Sequence, residues 1–220
     1  MARRRRVASL APVAGKLDDL RAAARDCRAC PLWKNATQTV FGAGAAHASL
    51  LVVGEQPGDQ EDRRGLPFVG PAGRLLDQAL VAAGIDRRAV YVTNAVKHFK
   101  WVAGERGKPR IHKKPNAVEI RACQPWLEAE IAAVAPRLIV CLGATAAQSL
   151  LGRDFRVTQQ RGRAVPSPFG PPALATIHPA AILRARPADR DAELRRFVAD
   201  LHAARMLLEQ TATSSWSASR

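Results

Sequence analysis

The sequence has no apolar run approaching the roughly 20 residues of a bilayer-spanning helix. Its N-terminal arginines are not followed by the hydrophobic core and cleavage site of a secretory signal. Together these absences exclude a membrane protein and predict a chain that stays in the cytoplasm. Acidic residues are scarce: 19 Asp and Glu stand against 34 Lys and Arg, giving a formal net charge of +15. Four of those charges lie in Arg3–Arg6, and an excess of +11 belongs to the remaining chain. Such an excess draws in polyanions by counterion release, so nucleic acid is the expected partner. No internal repeat is present, which excludes a solenoid or propeller. There are only four cysteines, and cytoplasmic thiols stay reduced. A disulfide framework is therefore excluded, and metal ligation becomes the question.

What is present is the composition of a folded protein, with 47% hydrophobic and 24% charged residues. At 220 residues one well-buried domain is expected over residues 16–209. A loose basic arm precedes it at 1–15, and a disordered Ser-rich tail follows at 210–220. Four short apolar runs read as buried strands, at residues 49–54, 90–93, 137–143 and 173–177. Segments with helical spacing alternate with them, at 17–27, 73–83, 116–134, 144–151 and 188–208. The segment from Lys97 to Pro115 is crowded with Lys, Arg, Gly and Pro and reads as an exposed loop. This alternation predicts an α/β single-domain three-layer αβα sandwich around a central, mainly parallel four-stranded sheet. Ligands of such sheets gather beyond the carboxyl ends of the strands. The residues there are Glu55-Gln56, Asn94 and His178, all able to hydrogen-bond a small flat molecule.

Two constellations carry chemistry. The cysteines fall as Cys27-x2-Cys30 and then Cys123-x17-Cys141. Four thiolates can hold an iron-sulfur cluster or a tetrahedral zinc, while Cys141, inside a strand, also fits a plain packing role. The second constellation is Gly54-Glu55-Gln56-Pro57-Gly58-Asp59-Gln60-Glu61-Asp62, followed by Pro67-Phe68-Val69-Gly70-Pro71-Ala72-Gly73. Its glycines and prolines set a sharp backbone path that lets a ligand approach the main chain.

With Thr93-Asn94-Ala95-Val96-Lys97 and His178-Pro179-Ala180, these segments resemble the ordered motifs of family-four uracil-DNA glycosylases. The likeness runs from about Cys27 to Leu201. Asp59-Gln60-Glu61-Asp62, Lys97-His98-Phe99-Lys100 and the basic insertion Lys108-Pro109-Arg110-Ile111-His112-Lys113-Lys114-Pro115 resemble the UdgX subgroup. Pro109 stands where that subgroup commonly has an arginine. The Arg-Pro-Pro-like segment that follows a Lys-Cys pair in ordinary family-four enzymes is missing.

The resemblance implies a uracil-DNA glycosylase-like fold and an enzyme acting, as a monomer, on uracil-containing DNA. It implies that Phe68 stacks on uracil, that Asn94 reads its hydrogen-bonding edge, and that Gly54 and Gln56 help position it. His178 would donate to a uracil oxygen. His112 would attack the sugar carbon to leave a covalent adduct, with Glu55 as its acidic partner. Arg110, Lys113, Lys114 and Arg184 would grip DNA, and the cations of the loop would disfavour a proton on His112. Cys27, Cys30, Cys123 and Cys141 would hold a [4Fe-4S] cluster. His47, His98 and His202 would have no part in catalysis. Two other readings stay open: a glycosylase that turns over by hydrolysis, and an iron-sulfur nucleic-acid-binding module without activity.

Overall fold

Four apolar runs form the middle of the sheet because each is buried on both faces, as parallel strands covered by helices must be. The computed structural model describes residues 15–104 and 110–217. Its elements are α1 (Leu17–Ala24), β1 (Ala43–Gly44), β2 (Leu50–Gly54), α2 (Asp59–Arg64), α3 (Pro71–Ala82), β3 (Val90–Asn94), β4 (Trp101–Ala103) and β5 (Arg110–His112). They continue with α4 (Ala117–Val134), β6 (Leu138–Leu142), α5 (Gly143–Leu151), α6 (Val157–Gln160), β7 (Ala164–Val165), β8 (Ala173–Thr176), α7 (Pro179–Arg184) and α8 (Pro187–Ser217).

The central strands β3, β2, β6 and β8 are parallel, as expected. The sheet nevertheless has six strands, in the order β1-β3-β2-β6-β8-β7, because two short antiparallel strands close its edges. At two residues each, those edges carry too little periodicity to be read from sequence. Alternation along each strand separates two cores. Leu50, Val52, Val92, Val140 and Leu174 face α3, α7 and α8 through Leu76, Leu80, Ile182, Phe197 and Leu201. Leu51, Val53, Tyr91, Ile139 and Ala175 face α4 and α5 through Leu127, Ile131, Ala146 and Leu150. The result is the expected three-layer α/β domain.

The start of α4 is fixed by a capping box. Asn116 Oδ1 accepts from the N–H groups of Val118 and Glu119, and Glu119 accepts from the Asn116 N–H. At the other end of the chain α8 reaches Ser217, well into the tail expected to lack order. The basic arm lies, up to residue 14, outside the described residues. Among the described residues no helix is long and apolar enough to cross a membrane.

The segment expected to be an exposed loop is largely a hairpin. β4 and β5 pair Trp101 with His112, Val102 with Ile111 and Ala103 with Arg110. Lys97, His98 and Phe99, which lead into it, are buried. Lys97 enters the interior because Glu130 of α4 meets it there, both side chains fully shielded from solvent. The same carboxylate accepts from Tyr91 Oη, Thr93 Oγ1 and the Gly42 N–H. Lys97 Nζ also donates to the Asn94 carbonyl at 2.7 Å. A buried pair of this kind is costly to break because the surviving charge is left unmatched. Glu130→Ala should lower unfolding free energy by about 3–5 kcal/mol, read from the denaturant midpoint. A loss below about 1 kcal/mol, the scale of an exposed pair, would contradict this account.

Candidate active site

The carboxyl ends of the parallel strands converge, and main-chain hydrogen bonds from Ala95 to Gly54 and from Val96 to Glu55 lock β2 and β3 there. Glycine is needed at 54: a Cβ would overlap the Asn94 Oδ1 atom and crowd the Phe68 ring. The bare backbone thus lets an amide and an aromatic face meet. Phe68 itself has φ of 57°, a left-handed conformation uncommon outside glycine. Gly73 makes this possible, because any side chain there would run into the Phe68 carbonyl. Glu61 fixes the surrounding turns by accepting from the N–H groups of Gly58 at 3.1 Å and Gly70 at 2.7 Å.

His178 follows β8 and stacks against Phe68, with ring centroids 6.3 Å apart and planes 26° from parallel. Its Nδ1 accepts from the Ala180 N–H at 3.1 Å and so caps α7. That lone pair is used, and a neutral ring must carry its proton on Nε2, as a donor. Burial, then Arg184, then His112 push its pKa down to about 4. The ring is therefore neutral at physiological pH.

His112, at the end of β5, is half exposed and points its Nε2 at Glu55 Oε1, 3.6 Å away. Burial is the main force holding its pKa below the usual imidazole value; Arg184 adds to it and Glu55 opposes it. The cation acting on His112 is thus Arg184 on α7, where Arg110, Lys113 and Lys114 had been expected. Lys113 and Lys114, which follow His112, and Arg184, which acts on both histidines, are exposed.

Two expected ligands have other work. Gln56 does not present its amide to a base: Nε2 donates to the carbonyls of Lys100 and Lys113, and Oε1 accepts from the Lys100 N–H. It clamps both ends of the hairpin to β2. Arg110 does not face solvent to meet phosphate. Its side chain is 10% exposed, bonded to Asp59 and Asp62 of α2 and stacked over Phe99 and Trp101. Arginine has five donors in a rigid fork, and here they meet the Asp59 and Asp62 carboxylates, the Thr37 hydroxyl and the Asp59 carbonyl. The acidic run read as part of a ligand loop is the socket for this side chain.

The four cysteines do not form one group. Cys141 is fully buried within β6, among apolar residues of the α4–α5 core, and that burial alone pushes its thiol up to about 12. A strand-centre cysteine behaves as a small hydrophobe, and Cys141, expected as a fourth thiolate, lies in a different core cluster from the other three. The remaining three sit together by α4. Cys30 is held down to about 5, first by the Cys123 thiol, with further lowering by His98, against its own burial. Cys27 Sγ accepts from Trp126 Nε1 at 3.2 Å, and Trp126 lies one turn from Cys123. His98 is buried, with Nε2 against Thr39 and Nδ1 lacking any hydrogen-bond partner. An orphaned buried nitrogen beside soft sulfur donors fits a metal group held by Cys27, Cys30, Cys123 and His98. Among the described residues no three His, Cys, Asp or Glu side chains converge on a common point. The sequence analysis gives His98 no part in catalysis, and the structure places it beside Cys30.

Fold and site together define a three-layer α/β protein with polar and aromatic side chains gathered at the carboxyl edge of its parallel strands. The chain belongs to the uracil DNA glycosylase superfamily, whose family model matches residues 41–202. It is 38% identical to the type-4 uracil-DNA glycosylase of Thermotoga maritima, over 79% of this chain and 84% of that protein. It is 36% identical to the type-4 enzyme of Archaeoglobus fulgidus, over 76% and 83% of the two chains. The type-5 uracil-DNA glycosylase of Thermus thermophilus is more distant, at 31% over 70% and 73%.

The geometry of His178 sets a titration. Its imidazole signals, followed by NMR, should stay those of a neutral Nε2–H ring until the pH nears about 4. Because the folded value is depressed, its contribution to stability is complete above the ordinary imidazole value of 6.5 and is lost as the pH falls towards 4. A midpoint near 6.5 would show that the ring is not enclosed as described.

Proposed function

We propose that this protein is a uracil-DNA glycosylase of the UdgX type, which excises uracil from DNA and then joins itself to the abasic sugar through His112. The observation that carries this reading is the placement of the His112 ring against Glu55, the residue that follows Gly54, where Asn94, Phe68 and His178 meet. The names of the type-4 relatives support excision of uracil.

A base inside a duplex is unreachable, so the nucleotide must be turned out into the pocket. Phe68 offers a stacking face, worth about 1–3 kcal/mol per base, and the Asn94 amide supplies both a donor and an acceptor. As the bond between uracil N1 and C1′ breaks, its electron pair leaves with uracil, and the Nε2–H of His178 steadies the growing anion. The sugar cation is then captured by a ring lone pair of His112, forming an N–C1′ bond. The proton shed by the resulting imidazolium passes to the Glu55 carboxylate. Held beside its target, a neutral imidazole outcompetes water. Lys113, Lys114 and Arg184 would bind the flanking phosphates, and the net positive charge would draw DNA in. Cys27, Cys30, Cys123 and His98 would hold a [4Fe-4S] cluster, which when bound would tie α1 and the start of the hairpin segment to α4.

A second reading is a glycosylase that turns over. The half exposure of His112 favours it, since water has access to the same carboxylate. A uracil-containing oligonucleotide distinguishes the two. The parent should give a product that survives boiling in detergent, and His112→Ala should lose that product and release uracil by the water route. Free uracil in excess of protein, without a heat-stable product, would select turnover. Adduct formation should hold as the pH falls through 6.5 and fail only below it, because the His112 value is depressed and the neutral ring persists.

The ligand set has its own test. Cys123→Ser and His98→Ala should abolish the brown iron-sulfur chromophore and the associated iron. Cys141→Ala should keep both. Loss of iron from Cys141→Ala with retention in His98→Ala would reverse the assignment.

A further inference from the structure

Beyond the residues already given roles, the β6–α5 junction places one more group against the chemistry. We infer that Thr145 is a positioning residue which fixes one oxygen of Glu55 so that the other faces His112. The inference rests on the His112 capture proposed above and names the part of the fold that orients its proton acceptor.

Thr145 lies in the first turn of α5 and is 5% exposed. Its Oγ1 donates to Glu55 Oε2 in a short hydrogen bond. The other oxygen, Oε1, is the one 3.6 Å from His112 Nε2. A carboxylate on a flexible side chain can rotate and exchange its two oxygens, and its terminal torsion is broad. A fixed hydroxyl donor on one oxygen removes that freedom and leaves the second for the imidazole. Charge-assisted bonds of this kind are roughly twice as strong as neutral ones. The start of α5 adds to the effect: no side chain caps it, and its N-terminal N–H groups favour a nearby anion. The same junction lies close to the other histidine, because a Cβ added at Gly143, at φ +86°, would come within 3.1 Å of the His178 Cβ. One tight turn after β6 therefore braces both the uracil side and the sugar side of the site.

The proton balance identifies what Thr145 changes. Attack by His112 creates an imidazolium whose proton must leave for the adduct to become neutral, and Glu55 Oε1 receives it. A carboxylate deprived of the Thr145 donor no longer points one oxygen at the ring. Capture should suffer more than bond cleavage.

The test is single-turnover reaction of Thr145→Val, of about the same shape without the hydroxyl, and Thr145→Ser, which restores it. Both released uracil and heat-stable adduct would be measured. In Thr145→Val the ratio of adduct to released uracil should fall roughly tenfold or more. Thr145→Ser should recover it. A Thr145→Val protein matching the parent in ratio would overturn the inference alone. Equal loss of uracil release and adduct would also overturn it by showing a structural role only. A parent that forms no heat-stable adduct would instead remove the capture reading, and this inference with it.

Discussion

The arrangement of the site depends on one buried guanidinium. Arg110 leaves the hairpin and enters a socket made by Asp59 and Asp62, with Phe99 and Trp101 along its flat faces. Taking such a group out of water costs several kcal/mol, and only multiple, well-aimed partners offset this. Two carboxylates and two aromatic rings meet that condition, while Gln56 holds the same hairpin by its main chain. His112 lies two residues beyond Arg110 on the same short strand. Its position against Glu55 therefore follows from the ion cluster, since an exposed basic segment would otherwise sample many conformations.

Beneath the hairpin, the sheet provides the rigid base. Both of its faces are filled, and the Lys97–Glu130 pair joins α4 to the end of β3 through Thr93 and the Asn94 carbonyl. The backbone N–H of Lys97 also reaches Cys123 Sγ at 3.4 Å. A single residue thus contacts the strand that bears Asn94 and the helix that bears Cys123. The strand end that bears Asn94 and the helix that bears Cys123 are thus held by one network, which suits a site that must keep its geometry.

The parts of the molecule legible in sequence are those governed by repetition. The strands of the core show as apolar runs, and the helices as faces with a period near 3.6. Strand ends show as polar residues after those runs, which is how Glu55, Asn94 and His178 were found. Pairwise partnerships were not legible. Arg110 looks like any basic loop residue until Asp59 and Asp62 are opposite it, 51 and 48 residues away in sequence. Gln56 sits within a ligand-binding motif, yet its amide turns to the hairpin. Cys141 completes a count of four thiols but faces the apolar core, and His98 was passed over because a lone histidine has no period. Thr145 gave no signal at all, as a threonine in the first turn of a helix is ordinary until its neighbour across the sheet is known.

The absent side chain at Gly54 limits what variation this position can tolerate. Main chain, ring and amide meet there directly, so even the smallest enlargement would displace the Asn94 amide or the Phe68 ring. Position 54 is effectively closed to drift.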